Sequence, residues 1–539
     1  MKMILINKNM PEEAFAILEK AAARILKQRE VFLGEGFCVT FELDPAILDE
    51  RYVMVSEEGV CKLYAGDVLT LFAGFGRFLR KSSFDGKGGF VPFEGEFDFM
   101  PAKKLRGMYF ATHFGNFYHS APIEKVYEVI EDLALRGCNS LLVWFDMHHY
   151  NSMKDESAQK MVKRLHDILA YANKIGMGGS LTMLSNEGFA SSPEHLRAEW
   201  AVQNGYLKEP HSHYHVEICP SKEGGIEEII RERREMLEHF ADLKIDYVVY
   251  WPYDQGGCTC ADCAPWGSNG FLRLYPHFKA LIKEMMPETE IIVSAWYFDL
   301  FTSGEWRGFG DACARGALGD AKYILSFFEN GNMPDAAIPE GFEYIEFPEI
   351  SMRGCSPWGG YGASHLAAFL DRTYKACRHI YSGAYPYSEG IFEDANKFIE
   401  LMLYSGERDN AFDALRDYVR FEFCTEDEAL YDAVLRSENF LARKRLRLED
   451  GIKVEFEDTG DIEQVRAVFE HYNAILPENI TSSRNFRIFY LRTVIDSEIA
   501  KNDGFAIRSE ACQEAMRELD EIYYVTDNTL SWVRPPRGK

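Results

Sequence analysis

Seven apolar, strand-like runs in this chain end in side chains that can move protons or stack on rings. The ends are Thr112 and His113; Asp146, His148 and His149; Asn186 and Glu187; Trp251, Tyr253 and Asp254; Trp296 and Asp299; Glu329 and Asn330; and Tyr387, Ser388 and Glu389. With Glu349 added, the acids at such ends are Asp146, Glu187, Asp254, Asp299, Glu329, Glu349 and Glu389. Two carboxyl groups are what glycosidic cleavage needs, one protonating the leaving oxygen and the other attacking, activating water or orienting an internal nucleophile. Taken singly, each acid is equally at home as an N-cap or a rim ion pair. Asp254 stands out because it follows a run of aromatics ending in Trp251 and Tyr253 and sits beside Gly256 and Gly257. Aromatic walls raise a carboxyl pKa, which suits an acid catalyst; the same residues also suit an Asp that caps a tight turn.

The large aromatics repeat the pattern. Trp144, Trp251, Trp296, Trp358, Tyr253, Tyr297, Tyr361 and Tyr387 fall at strand ends or their loops. Ring faces beside hydrogen-bonding groups match the apolar face and hydroxyl edge of a sugar, although rim packing explains them as well. Adjacent residues on a strand face opposite ways, so His148 and His149 are not expected to share an ion. These histidines and His211, His213 and His215 are expected to be hydrogen-bonding loop residues, with His113 or His148 contacting a sugar hydroxyl. The glycine-rich loop around Trp358 lacks the Lys-Ser/Thr of a phosphate cradle, so neither ATP nor NAD is expected. Cys258, Cys260 and Cys263 form C-x-C-x-x-C. Cys219 or a histidine would complete a four-ligand structural zinc site; ordinary thiols and redox chemistry stay open, and no cofactor is expected for catalysis.

Strands that present such groups in succession at one end define an α/β fold, a (β/α)8 TIM barrel with its site on the C-terminal rim. Strand signals fall near residues 106–112, 139–146, 178–184, 246–253, 290–297, 322–328, 343–348 and 381–386, with amphipathic helices between them. The apolar run at residues 215–219 is a ninth candidate, a loop strand or, equally, strand four. Residues 1–103 are expected to form a small N-terminal α/β accessory domain, 93–104 a Pro-, Gly- and acid-rich linker, 104–404 the barrel, and 405–539 an all-helical C-terminal domain. That last domain is expected to cover the barrel wall or make a homo-oligomer contact, with nothing catalytic in it.

A length of 539 residues and 47% hydrophobic composition suffice for several cores. A net charge of −26 disfavours nucleic acid, whose binding needs clustered Lys and Arg. No run reaches the about 20 apolar residues of a membrane span, and the N-terminus lacks a signal-peptide pattern. Together with the twelve cysteines, this points to a cytoplasmic protein with reduced thiols.

Arg106-Gly107 at the first strand, Tyr387-Ser388-Glu389-Gly390 near the last, and the accessory domain before the barrel resemble the superfamily of glycoside hydrolase families 20, 67, 84 and 163. An acid followed by C-x-C-x-x-C after a strand is most similar to family 163 and its relatives. The resemblance covers residues 30–420 and implies glycoside hydrolysis, with an N-acetylhexosaminidase-like activity; small oligosaccharides are the expected substrates because an enzyme inside the cell rarely meets polymers. It would make Arg106 and Glu389 grip sugar hydroxyls, which leaves Glu389 as either catalyst or binder. Family 20 carries Asp-Glu where this chain has Asp254-Gln255, so the acid must be Asp254 or a carboxylate of another strand, and participation of the substrate's acetamido group is in doubt. The expected catalytic set is Asp254, Glu389, Glu329 and Glu349. Arg106, His113, Asp146, His148, Trp251, Tyr253, Trp296, Trp358 and Tyr387 are the expected carbohydrate-binding set. The alternatives are an α-glucuronidase-like hydrolase with spread carboxylates and Arg353 for the uronate, a non-catalytic carbohydrate-binding protein, and a metal enzyme.

Overall fold

The computed structural model describes residues 2–113, 115–199, 216–252, 257–300, 302–328, 338–351, 365–441, 443–448, 451–505 and 508–524. The candidates Tyr253, Asp254, Glu329 and Trp358, together with Gln255, Asn330, Arg353, Tyr361, His211, His213 and His215, lie outside the described residues.

Eight parallel strands close on themselves: β1 (Leu105–Phe110), β2 (Ser140–Trp144), β3 (Gly178–Leu184), β4 (Ile245–Trp251), β5 (Glu290–Ser294), β6 (Tyr323–Ser326), β7 (Glu343–Glu346) and β8 (Tyr381–Ala384). Successive strands are neighbours, and β8 returns to β1 through Gly383 opposite Leu105 and Ala384 opposite Arg106. This is the (β/α)8 barrel that the sequence predicts. Its strands are covered on both faces, so β2 and β3 are buried along their whole lengths, as parallel strands between helices and a filled interior must be.

Alternation along each strand sends one set of side chains inward. Leu105, Tyr109, Leu142, Trp144, Leu184, Val249, Trp251, Ile292, Leu325, Ile345, Phe347 and Tyr385 form an interior cluster separate from the core under the helices. Gly107 makes room for it: a Cβ there would stand 2.3 Å from the Tyr385 ring. The Tyr385 hydroxyl sits 2.7 Å from Ser140 Oγ and 2.9 Å from Ser180 Oγ, which fills the lower half of the barrel. The open chemistry is therefore confined to the C-terminal rim. There β8 is prolonged by Tyr387–Ser388, which pairs with Tyr109 and Phe110, while Glu349 bridges Tyr387 from beyond β7.

The N-terminal unit is a six-stranded mixed sheet under the helices Glu12–Lys27 and Val68–Lys81. Part of the expected linker is its edge strand, because Gly95–Phe99 pairs antiparallel with Tyr52–Glu57. The alternation of Phe97 and Phe99 with acids makes this strand, and Arg77 lies 4.3 Å and 4.0 Å from those two rings. The described part of the ninth strand candidate, 216–219, makes only isolated bridges, Glu217 to Glu187 and Ile218 to Arg197. It is a loop strand outside the barrel. After residue 405 the helices Ala411–Phe423, Glu428–Ser437, Ile462–Ile475, Arg484–Lys501 and Glu510–Ile522 dominate. They are not alone: Arg443–Leu448 and Gly451–Phe456 form an antiparallel hairpin, a correction to the expectation of helices only. The last four residues of its first strand, Arg445 to Leu448, alternate Arg with Leu, a period of two that the surrounding helical pattern obscures.

No helix among the described residues is long and apolar enough to cross a membrane.

Candidate active site

Aromatic rings form a connected chain at the rim. Trp296 lies 5.4 Å from Trp251, Trp251 lies 5.0 Å from Phe347, and Phe347 lies 5.4 Å from Tyr109. Tyr109 stacks on Tyr387 at 5.4 Å, and His113 meets the edge of Trp144 at 5.2 Å. Six strand ends, those of β1, β2, β4, β5, β7 and β8, thus contribute to one wall. Tyr297 is exposed and stacks on Trp296 at 4.5 Å, which extends the wall toward solvent.

On the β2–β3 side, two buried acids stand together. Asp146 begins the short helical turn Met147–His149, and burial, reinforced by the Glu187 charge, holds its carboxyl well above the usual range. Glu187 accepts from Trp144 Nε1 at 3.3 Å and the His148 amide at 3.3 Å, and its Oε1 lies 2.6 Å from His148 Nδ1. Because His148 and His149 lie on a turn and not on a strand, their rings come within 4.1 Å. The opposite-face expectation for this pair is therefore corrected. They nevertheless serve different acids, since His149 Nε2 is 3.3 Å from Asp146 Oδ2. Burial pushes His113 down to about 3 and His149 down to about 4, so both rings are neutral near pH 7.

On the β7–β8 side stands the second pair. Glu389 is buried, and its Oε1 accepts from the Tyr387 hydroxyl at 3.3 Å. Its Oε2 is buried with no hydrogen-bond partner among the described residues. Burial, then the charges of Glu349 and Glu393, raise the Glu389 carboxyl well above the ordinary carboxylate range. Glu349 is half-buried, and its Oε1 accepts from the Ser351 amide at 2.9 Å and the Ser351 hydroxyl at 3.1 Å. A carboxyl of raised pKa beside a second acid that receives hydrogen bonds is the division of labour that acid-assisted bond cleavage uses.

Of the sequence candidates, the described rim gathers His113, Asp146, His148, Trp251, Trp296, Glu349, Tyr387 and Glu389. Arg106 is elsewhere. It lies near the N-terminal end of β1 on the face away from the interior, bonded to Glu50 at 2.5 Å, to the Lys103 carbonyl at 2.6 Å and to the Gly137 carbonyl at 2.9 Å. Tying the barrel to the N-terminal unit consumes its donors, and strand alternation excludes it from the pocket.

Three contributors were missed by sequence reasoning. Tyr109 and Phe347 face inward with Trp251 by the strand period of two, a signal present in the sequence that the strand-end reading did not use. The third is Tyr523, beyond the last helix of the C-terminal region, where nothing bearing on catalysis was expected. Its hydroxyl donates to the Glu389 carbonyl at 2.8 Å and lies 3.1 Å from the Phe117 amide that donates to it. No local pattern announces a contact across 134 residues.

Beside β4 the sulfur atoms of Cys219, Cys258, Cys260 and Cys263 all lie within 4.8 Å of one another.

No family model matches the sequence, and no curated protein is similar to it. In three dimensions the chain is similar to a family 89 glycoside hydrolase from Clostridium perfringens, solved in complex with its substrate GlcNAc-alpha-1,4-galactose. The TM-score is 0.60 at 12% identity over 95% of this chain and 64% of that one. A family 89 structure from the same organism, in complex with 2-acetamido-1,2-dideoxynojirmycin, gives 0.60 at 12% identity over 95% and 65%. A mutant Streptomyces plicatus beta-hexosaminidase in complex with GlcNAc gives 0.51 at 13% identity over 78% and 90%. The chain spans less than two thirds of the length of the family 89 structures. At these identities the shared property is the fold, a (β/α)8 barrel also found in glycoside hydrolases of families 89 and 20.

Proposed function

We propose that this chain is a glycoside hydrolase acting on N-acetylhexosaminides of small oligosaccharides, with no cofactor in the bond-breaking step. The observation that carries the reading is Glu389. It is a buried carboxyl that burial and the Glu349 charge hold well above the ordinary carboxylate range, at the end of an aromatic wall suited to a sugar face. In this reading Glu389 protonates the leaving oxygen and Glu349 stabilises the developing positive charge at the anomeric carbon, as nucleophile or through water. Asp254, which follows β4 in the sequence, is the third acid assigned to orienting the substrate's acetamido group, with Glu329, which follows β6 in the sequence, as a further candidate. Trp251, Trp296, Tyr387 and His113 bind the sugar. The complexes with GlcNAc-containing ligands among the similar folds support an N-acetylated substrate, as does the resemblance to families 20 and 163.

The test is hydrolysis of a panel of aryl glycosides in both anomeric forms, comparing GlcNAc with glucose and glucuronic acid. Turnover is expected on an N-acetylhexosaminide, falling at least about a thousandfold in Glu389→Gln, a barrier change of about 4 kcal/mol. A Glu389→Gln enzyme within about tenfold of wild type would remove Glu389 from the chemistry. Absence of turnover on the whole panel by the folded wild type would overturn the hydrolase reading itself.

A further inference from the structure

Three of the four clustered cysteines come from one turn and the fourth from a distant loop. Cys258, Cys260 and Cys263 follow β4, whereas Cys219 ends the segment that folds back against β3. Cys219 Sγ stands 3.8 Å from Cys260 Sγ and 3.8 Å from Cys263 Sγ. Disulfide sulfurs are about 2.0 Å apart, and none of these four is in a disulfide. A tetrahedron with zinc–sulfur bonds of about 2.3 Å has sulfur–sulfur edges of about 3.8 Å. We propose that Cys219, Cys258, Cys260 and Cys263 bind one structural zinc ion.

The surroundings fit that charge. Cys219, Cys258 and Cys263 are buried and Cys260 is half-buried, so four ionised thiols need a cation and nearby donors. The Glu199 amide donates to Cys258 Sγ at 3.5 Å, and Ser221 Oγ lies 2.9 Å from Cys219 Sγ and 3.3 Å from Cys260 Sγ. Such donors orient thiolate ligands and offset their charge. Four soft ligands in a tetrahedron select zinc over hard cations and leave no open position for substrate. The ion is a clamp.

What it clamps is the rim of the site. Ile218, next to Cys219, donates its amide to the Asn186 carbonyl at 2.8 Å, and Asn186 Nδ2 donates to the Ile218 carbonyl at 3.1 Å, beside Glu187. On the other side, Trp266 is buried after the last ligand and donates its Nε1 to the Pro252 carbonyl at 2.8 Å. Zinc therefore joins the end of β3, where Glu187 sits, to the segment that leaves β4.

The experiment is metal analysis of the tag-free, full-length protein purified without chelator. About one zinc per chain is expected, dropping below about 0.2 in Cys219→Ser and in Cys258→Ser. Should those variants fail to fold, the wild type still decides: an organomercurial that modifies the thiols must release zinc to a metallochromic dye in step with thiol loss. Cobalt exchanged into the site must also give a thiolate-to-metal charge-transfer band. Wild-type protein with less than about 0.2 zinc per chain, or with iron in its place, overturns the proposal. Zinc that survives Cys219→Ser in a folded chain overturns it too. Metal content is independent of turnover, so this result stands apart from the hydrolase test.

Discussion

Tyr523 and Glu389 are joined by a hydrogen bond of 2.8 Å from the phenol to the backbone carbonyl, so the end of the C-terminal helical region holds the strand end that carries the buried acid. The ring of Tyr523 also stacks on Phe392 at 4.6 Å. Gly390 permits the approach, since a Cβ there would stand 2.8 Å from the Tyr523 hydroxyl and 2.5 Å from Phe117 Cβ. The helical region therefore sets the position of a candidate catalytic group, which goes beyond covering the barrel wall.

Tyr523→Phe removes that bond while keeping the ring. One hydrogen bond contributes about 1 kcal/mol, so kcat is expected to fall about fivefold while KM stays within about twofold. Steady-state kinetics beside a thermal melt check it. A lower melting point with wild-type kcat in the folded protein would mean that the tyrosine only stabilises the fold.

The charge of Glu393 helps hold the Glu389 proton, after burial and Glu349. Glu393 Oε1 accepts from Ser388 Oγ at 2.6 Å and the Gly390 amide at 2.6 Å, bonds that a glutamine oxygen can retain. Removing a neighbouring negative charge lowers an acid's pKa. In Glu393→Gln the limb along which kcat/KM declines with rising pH is therefore expected to move to lower pH. A pH–rate profile that leaves this limb in place would show that Glu389 is not the acid it reports.

Asp394 and Arg136 pair at 2.8 Å and 2.9 Å inside the protein, and the Tyr418 hydroxyl adds a bond at 3.1 Å. Burial alone would raise the Asp394 carboxyl, but the Arg136 guanidinium more than offsets this and holds it well below the ordinary range. Its contribution to stability is thus present above the unfolded value of about 3.9 and is lost as pH falls toward the depressed folded value. Arg136→Met strands the carboxylate and is expected to cost about 3 kcal/mol at pH 7, less at pH 3. Denaturant unfolding at the two pH values measures the difference. An equal loss at both would show that the ion pair is not what stabilises.

The sequence by itself determined the barrel and the rim. Apolar runs of β length separated by amphipathic helices leave few alternatives to parallel strands with side chains alternating in and out. The strand-end positions of His113, Asp146, Glu349, Tyr387 and Glu389 follow from that period of two. The same period, applied strictly, would have sent Arg106 outward and brought Tyr109 and Phe347 in. Tertiary structure alone decided the rest. Whether an acid is an N-cap or a proton donor depends on what buries it and which charges lie nearby: Glu389 gains its raised pKa first from burial and then from Glu349 and Glu393, all brought about by folding. Tyr523 reaches Glu389, and Cys219 reaches Cys260 and Cys263, because helices and loops far apart in the chain pack onto one rim, and no local pattern encodes where a chain returns to itself.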